Sequence, residues 1–378
     1  MWQPQGFYNQ YVLRAPAVLS GMESIRGLYN YPAARVAVIH GKSFKDAELF
    51  QTTFAKADIS FMLRSWPGEP DMEGLEGTLR QLEIFQPDLI IAVGGGSVLD
   101  GSKLCRILYE FPWYEAERSR IEGEMFHTNF IAVPTTVGSG AEVSSAAVFV
   151  DKKFHRKDMV VLHGLLPDVI VYDKRYVSHT PHRLLCASAL DAMAHILEGY
   201  VSVIDNFMID IMAEEGMAVL VEELVKVIDQ KMEAIDYQRL QYAGYIGGFV
   251  QNHCIAGAAH AVAHQLTEYG YSHGEAVGLV LPLVIELNAG DSKTCEKYQR
   301  LAVRSGFTDI HKMVDFVRTV LECSGIEGQR KDFSALLQEL QQDALFLENV
   351  KNDRGGQGNP VKITDDFIRS IGYGFINR

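Results

Sequence analysis

The apolar run LIIAV at 89–93 is followed at once by Gly94, Gly95, Gly96 and Ser97, and then by VLDGSKLCRILYE at 98–110. A strand that is apolar on both faces belongs inside a parallel sheet covered on both sides, which commits this part of the chain to an α/β architecture. Glycines at a strand-to-helix turn remove the Cβ atoms that would hold a ligand off the backbone. The free N–H groups of the helix start can then receive a phosphate. Ser97 is placed either to cap the helix or to donate to a phosphate oxygen, and Asp100 falls three positions later, where a capping-box acid would stand. The run lacks GxGxxG spacing, and an ordinary turn has the same local pattern.

The flanking segments extend the α/β reading. FYNQYVL at 7–13 reads as a short strand and RVAVIH at 35–40 as a clearer one, ended by Gly41, Lys42 and Ser43. A helix is expected over 45–57, a strand over 60–66 and a helix over 72–85. FIAVP at 130–134 leads into Thr135, Thr136, Val137, Gly138, Ser139 and Gly140, either a second cofactor-facing loop at the carboxyl edge of the sheet or a plain polar turn. Lys152, Lys153, Arg156 and Lys157 read as a solvated basic turn, one member of which could meet a phosphate or an acidic substrate. VIVYD at 169–173 is the last strand expected.

From Pro181 the hydrophobic period becomes helical, over 184–200, 205–229, 234–267, 276–288, 293–305, 309–321, 332–345 and 364–370. At 378 residues the chain is long for one core. It divides into an α/β N-terminal Rossmann-like nucleotide-binding domain, 1–175, and an all-helical C-terminal metal-binding domain, 176–378, with a cleft expected between them.

Inside the helical part, Asp191 and His195 stand four apart, His260 and His264 form a second such pair, and His273 follows a turn rich in Gly, Tyr and Ser. Paired polar side chains on apolar helices need a partner, and a carboxylate with several imidazoles suits Zn²⁺ or Fe²⁺ with one position left open. The plain alternative is a set of hydrogen-bonded or surface histidines. A net charge of −13 argues against a nucleic-acid surface. Five dispersed cysteines form no metal or disulfide framework. No signal peptide opens the sequence, and its longest apolar run, 276–285, is too short to span a bilayer, so a soluble cytoplasmic protein is expected.

With these residues assembled, the chain resembles the iron-containing (group III) alcohol dehydrogenases, in the superfamily that also holds glycerol dehydrogenases and dehydroquinate synthases. The resemblance spans almost the whole sequence. It rests on GGGSVLD at 94–100, PTTVGSGAEVSSAAV at 134–148, LPDVIVYD at 166–173, DAMAHILEGY at 191–200 and HAVAHQLTEYGYSHGEAVGLVLP at 260–282. It implies that Asp191, His195, His260 and His273 hold Fe²⁺ or Zn²⁺, and that His264 lies beside a nicotinamide. Asp191 and His264 are then the catalytic candidates. Gly94, Gly95, Gly96 and Ser97 would bind the pyrophosphate. Thr135, Thr136, Ser139 and Lys157 would add cofactor contacts, with Asp100, Gly41 and Ser43 completing the set.

Many NAD-using relatives carry an acid after the second strand. Here His40-Gly41-Lys42-Ser43 lacks it, which leans toward NADP over NAD. The implied reaction is reversible hydride transfer between an alcohol and the nicotinamide, and the family implies a homodimer or larger homo-oligomer. Lys351 and Arg354, in KNDRGGQGNP at 351–360, would favour an anionic substrate such as a sugar acid if that stretch returned to the cleft; otherwise it is a surface loop. Two alternatives stand beside the dehydrogenase: a dehydroquinate-synthase-like lyase or cyclase, and a non-catalytic relative. An aspartate rather than a glutamate in the first ligand position favours the dehydrogenase.

Overall fold

Six parallel strands form the centre of the N-terminal part. The computed structural model describes residues 16–115, 121, 124–153, 156–266, 269–326 and 330–376, so the strand expected at 7–13 lies outside the described residues. The chain separates into two compact units that meet in sequence at Thr180 and Pro181.

In the first unit the strands are β1 Ala17–Ser20, β2 Arg35–His40, β3 Asp58–Leu63, β4 Leu89–Gly94, β5 Asn129–Pro134, β6 Ala146–Asp151, β7 Arg156–Val161 and β8 Val169–Tyr172. The helices are α1 Ala47–Thr53, α2 Glu76–Phe85, α3 Gly96–Glu110 and α4 Lys174–Ser178. The sheet order is β1-β8-β5-β4-β2-β3, and β6 pairs with β7 as a separate antiparallel hairpin. Alternation along the strands divides the core in two. Ala37, Ile39, Ile90, Ala92, Phe130 and Ala132 pack with Trp66, Leu82, Leu99 and Leu104, while Val36, Val38, Leu89, Ile91, Val93, Ile131 and Val133 face Phe50 and Phe54. This is the period-2 pattern of a sheet buried on both sides.

The chain leaves β2 outward to β3 and returns on the other side of β2 to β4, so the order reverses between β2 and β4. The carboxyl ends of strands at such a reversal are where an open α/β sheet offers a crevice to a ligand. Both Gly41 and the turn at Gly94 lie there, with the Gly41 N–H donating to the carbonyl of Val93 at 3.3 Å.

The second unit is helical: α5 His182–Tyr200, α6 Phe207–Ile228, α7 Ala234–Cys254, α8 Ala258–His264, α9 His273–Asn288, α10 Ser292–Arg304, α11 Ile310–Cys323, α12 Arg330–Leu340, α13 Ala344–Asn352 and α14 Asp365–Ile376. The single helix expected over 234–267 is two, because Ile255 turns to φ 62° and Gly257 starts α8 afresh. The helix expected from 276 begins three residues earlier, at His273, behind a capping box made by Ser272 and Glu275. Among the described residues no helix is long and apolar enough to cross a membrane.

Candidate active site

The glycine turn is built more tightly than its sequence requires. Gly95 is the N-cap of α3 and offers no side chain, so Ser97 is not the cap and Asp100 closes no capping box. Ser97 lies inside the first turn, where its Oγ receives the Arg64 guanidinium at 2.6 Å and donates to the carbonyl of Gly68. The Trp66 indole N–H donates to the carbonyl of Ser97 at 3.1 Å. A Cβ on Gly96 would stand 2.7 Å from Cβ of Ser139, and one on Gly95 would stand 3.1 Å from the Thr136 side chain. The two loops singled out in the sequence therefore lie against each other, and the Thr135 N–H donates to the carbonyl of Gly94 at 3.0 Å. Gly41 and the exposed Ser43 follow β2, next to β4 in the sheet.

Lys103, which the sequence reading passed over, holds the second loop in place. Its buried ammonium donates to the carbonyls of Ala141, Ser144 and Ala146 at 2.6, 2.8 and 2.7 Å. Asp100 lies 3.9 Å from it. Burial pushes the Asp100 carboxyl up to about 7 against the pull of the Lys103 charge. Nor is the basic cluster a uniform solvated turn. Lys152 is exposed and paired with Asp71 at 2.9 Å, while Lys157, on β7, is buried with its Nζ 3.2 Å from Glu69. Alternation in AAVFVD at 146–151 was the signal for the hairpin that turns Lys157 inward.

In the second unit α5 presents Asp191, His195 and Glu198, all buried. His195 and His260 stack with ring centroids 4.5 Å apart. Asp191, His195 and His260 offer ligand atoms that all lie within 4.8 Å of one another. His273 joins them from the first turn of α9, which approaches α5 so closely that a Cβ on Gly274 would stand 2.4 Å from the carbonyl oxygen of Ala187. Three imidazole Nε2 atoms surround a single oxygen, Oδ1 of Asp191: that of His260 at 3.3 Å, His273 at 3.5 Å and His195 at 3.8 Å.

Glu198, missed in the sequence although it sits seven residues beyond Asp191 on the same helix, explains how His260 is aimed. Its Oε2 lies 2.5 Å from Nδ1 of His260, and its Oε1 accepts from the Ala259 N–H at 2.6 Å. With Nδ1 carrying the hydrogen, Nε2 of His260 turns a lone pair toward the Asp191 carboxylate. Two lone pairs facing each other are what a cation between them would satisfy. Burial pushes the His260 pKa down, but Glu198 and then Asp191 outweigh it, so without a cation the pair of carboxylates draws a second proton onto Nε2, the proton that a metal would displace. A carboxylate with three imidazoles is a donor set that fits a divalent metal.

His264 stands apart from that set. Its Nδ1 meets Asp353 at 2.9 Å, and its ring stacks on that of His273 at 5.2 Å. Asp353 comes from the glycine-rich stretch that the sequence left as a surface loop or an anion contact. Instead, Asp353, Gly355, Gly356, Gly358 and Asn359 are buried, and Lys351 is taken by Asp365 at 2.6 Å.

Sequence and structure comparisons find relatives over nearly the whole chain. An iron-containing alcohol dehydrogenase profile matches residues 16–174, and the C-terminal profile of the same family matches 185–372. An alcohol dehydrogenase of Thermococcus barophilus is 26% identical, covering 82% of this chain and 85% of the relative. The NADPH-dependent butanol dehydrogenase of Clostridium saccharobutylicum is also 26% identical, covering 80% of each. The structure of an iron-containing alcohol dehydrogenase from Thermococcus thioreducens matches at a TM-score of 0.86 and 24% identity, over 96% of this chain and 98% of that one. The sulfoacetaldehyde reductase of Bifidobacterium kashiwanohense, solved with NAD+, matches at 0.84 and 21%, over 98% and 100%. Fold and matches together define a metal-dependent, NAD(P)-linked oxidoreductase that interconverts an alcohol and a carbonyl, and they support neither the cyclase nor the non-catalytic alternative. The chain belongs to the iron-containing alcohol dehydrogenase family.

Proposed function

We propose that Asp191, His195, His260 and His273 hold a divalent cation, Fe²⁺ or Zn²⁺, and that the chain oxidises a small alcohol or reduces the matching aldehyde. The observation that carries this is the convergence of three Nε2 atoms on Oδ1 of Asp191 at 3.3 to 3.8 Å. When bound, the cation supplies Lewis acidity to the substrate oxygen. Asp191 neutralises part of its charge, and Glu198 keeps His260 in the tautomer whose Nε2 can donate a lone pair. His264, fixed at Nδ1, presents its other nitrogen for the nicotinamide or the substrate hydroxyl.

Residues 1–175 act as the nucleotide-binding domain and 176–378 as the metal-binding domain. The dinucleotide rests on Gly94, Gly95, Gly96 and Ser97, with Thr135, Thr136, Ser139, Asp100 and Lys157 as further contacts. Gly41 and Ser43 follow the strand that ends beside the adenosine ribose. NADP is the proposed cofactor over NAD, supported by Lys42 and Ser43 standing where an acid would repel a 2′-phosphate. With Lys351 committed to Asp365, the proposed substrate is a small neutral alcohol, and an anionic one such as a sugar acid would depend on Arg354. We place the active protein in the cytoplasm as a homodimer or larger homo-oligomer.

The test is titration of the metal-loaded protein with NAD and NADP, followed by alcohols and aldehydes read at the nicotinamide absorbance. Binding of NADP with turnover lost in His260→Ala is the expected result. A metal-loaded protein that binds neither nucleotide overturns the reading.

A further inference from the structure

The glycine-rich segment after α13 has a part in the site that neither the family nor the ligand geometry assigns. Asp353 ends that helix, is buried, and directs its carboxylate at three donors. Oδ1 accepts from the Gly355 N–H at 2.8 Å, while Oδ2 accepts from the Gln265 amide at 3.3 Å and lies 2.9 Å from Nδ1 of His264. A Cβ on Gly355 would stand 3.0 Å from Oδ1 of Asp353 and 3.4 Å from Cε1 of His264, so a side chain here would crowd the carboxylate while glycine lets the backbone lie close to the ring. The imidazole is held on its other sides by the ring of His273, stacked at 5.2 Å and 18°, and by that of His260, edge-on at 6.1 Å. Among the described residues His264 has its hydrogen-bond partner at Nδ1, on Asp353, and none at Nε2.

We infer that Asp353 is the positioning residue of His264: it accepts the Nδ1 hydrogen, fixes the ring in that tautomer, and leaves Nε2 as a lone-pair acceptor for a hydroxyl of the substrate or of the nucleotide ribose. A carboxylate accepts and cannot donate, so an ionised Asp353 permits one neutral tautomer at His264. The inference rests on the proposed reading of the site as one for an alcohol and a nicotinamide nucleotide.

Asp353→Asn separates this role from simple packing. The amide has the carboxylate's shape, but with its oxygen kept by the Gly355 N–H it turns an NH₂ toward His264. The ring must then accept at Nδ1 and carry its hydrogen on Nε2, as happens when the acid of a hydrolase triad is replaced by its amide.

The experiment is ¹⁵N NMR of the zinc-loaded, histidine-labelled protein, with the His264 resonances assigned through His264→Gln, alongside steady-state kinetics on an alcohol that the wild type oxidises. The wild type is expected to carry its hydrogen on Nδ1 and Asp353→Asn on Nε2. The variant is expected to keep its bound zinc and its KM for the alcohol while kcat falls by about 10- to 100-fold, and Asp353→Glu to recover part of the loss. A wild-type His264 with its hydrogen on Nε2, or an Asp353→Asn enzyme with kcat within about twofold of the wild type, overturns the inference. If Asp353→Asn fails to fold, the wild-type spectrum and that of Asp353→Glu decide the same question. A wild type that oxidises no alcohol counts against the proposed reaction and leaves the tautomer result to judge Asp353.

Discussion

Nδ1 of His260 lies 2.5 Å from Oε2 of Glu198, whose other oxygen takes the N–H of Ala259, so one buried carboxylate both aims a ligand ring and caps the helix that carries it. Glu198→Gln keeps the volume and leaves one oxygen for two donors. Its affinity for Zn²⁺, followed by competition with a chromogenic chelator, is expected to fall by about 10- to 100-fold. Stability in denaturant should drop by about 1–3 kcal/mol for the donor left unpaired. Unchanged zinc affinity would show that His260 does not depend on this carboxylate.

Metal removal should unfasten the same region. A ligand that binds only the folded chain stabilises it by about 2.7 kcal/mol at a hundred times its Kd. Adding Zn²⁺ to chelator-stripped protein is therefore expected to raise the melting temperature, and His195→Ala should abolish most of that rise. Equal shifts in the variant and the wild type would place the cation elsewhere.

Close approach of α9 to α5 makes Gly274 intolerant of a side chain. In Gly274→Ala the new Cβ would press on the Ala187 carbonyl from 2.4 Å away, next to His273. A loss of about 1–3 kcal/mol is expected from the overpacking, together with weaker zinc binding as His273 is displaced. Calorimetry and metal titration on one preparation read both effects.

Asp100 makes a contribution of definite sign to the pH response of the first unit. Burial raises its folded pKa to about 7, above the ordinary carboxyl value, so between about pH 4 and 7 the folded state holds a proton that the unfolded chain has lost. Stability from this group is full below the unfolded pKa and declines as pH rises through the folded one. Asp100→Asn removes that slope, so its stability relative to wild type should improve steadily from pH 4.5 to 7. A relative stability flat across that range would mean that Asp100 is ionised throughout in the folded protein.

Residue periodicity carried much of this. The parallel sheet, the glycine turn and the i,i+4 spacing of Asp191 and His195 were legible because each is a local pattern. Glu198 was within reach, since its position seven residues after Asp191 puts it on the same helical face, and the capping box at Ser272 and Glu275 was written in the sequence as well. Asp353 was not. It meets His264 across 89 residues of chain, and nothing in KNDRGGQGNP says which partner its carboxylate will find. The break at Ile255 was hidden for a similar reason: α8 is a separate helix because Glu198 and Asn359, remote in sequence, cap its N-terminus.

That capping gives the site an order of assembly. Asn359 accepts from the Ala258 N–H at 3.2 Å and exchanges amide hydrogen bonds with Asn288, tying α8 and α9 to a residue 86 positions after His273. During synthesis the four proposed metal ligands, Asp191 to His273, leave the ribosome well before this clasp does. A nascent chain stopped short of it would own every ligand and yet lack the fastening for the helix that carries His260 and His264, so the centre is completed late, by one of the longest loop closures in its unit.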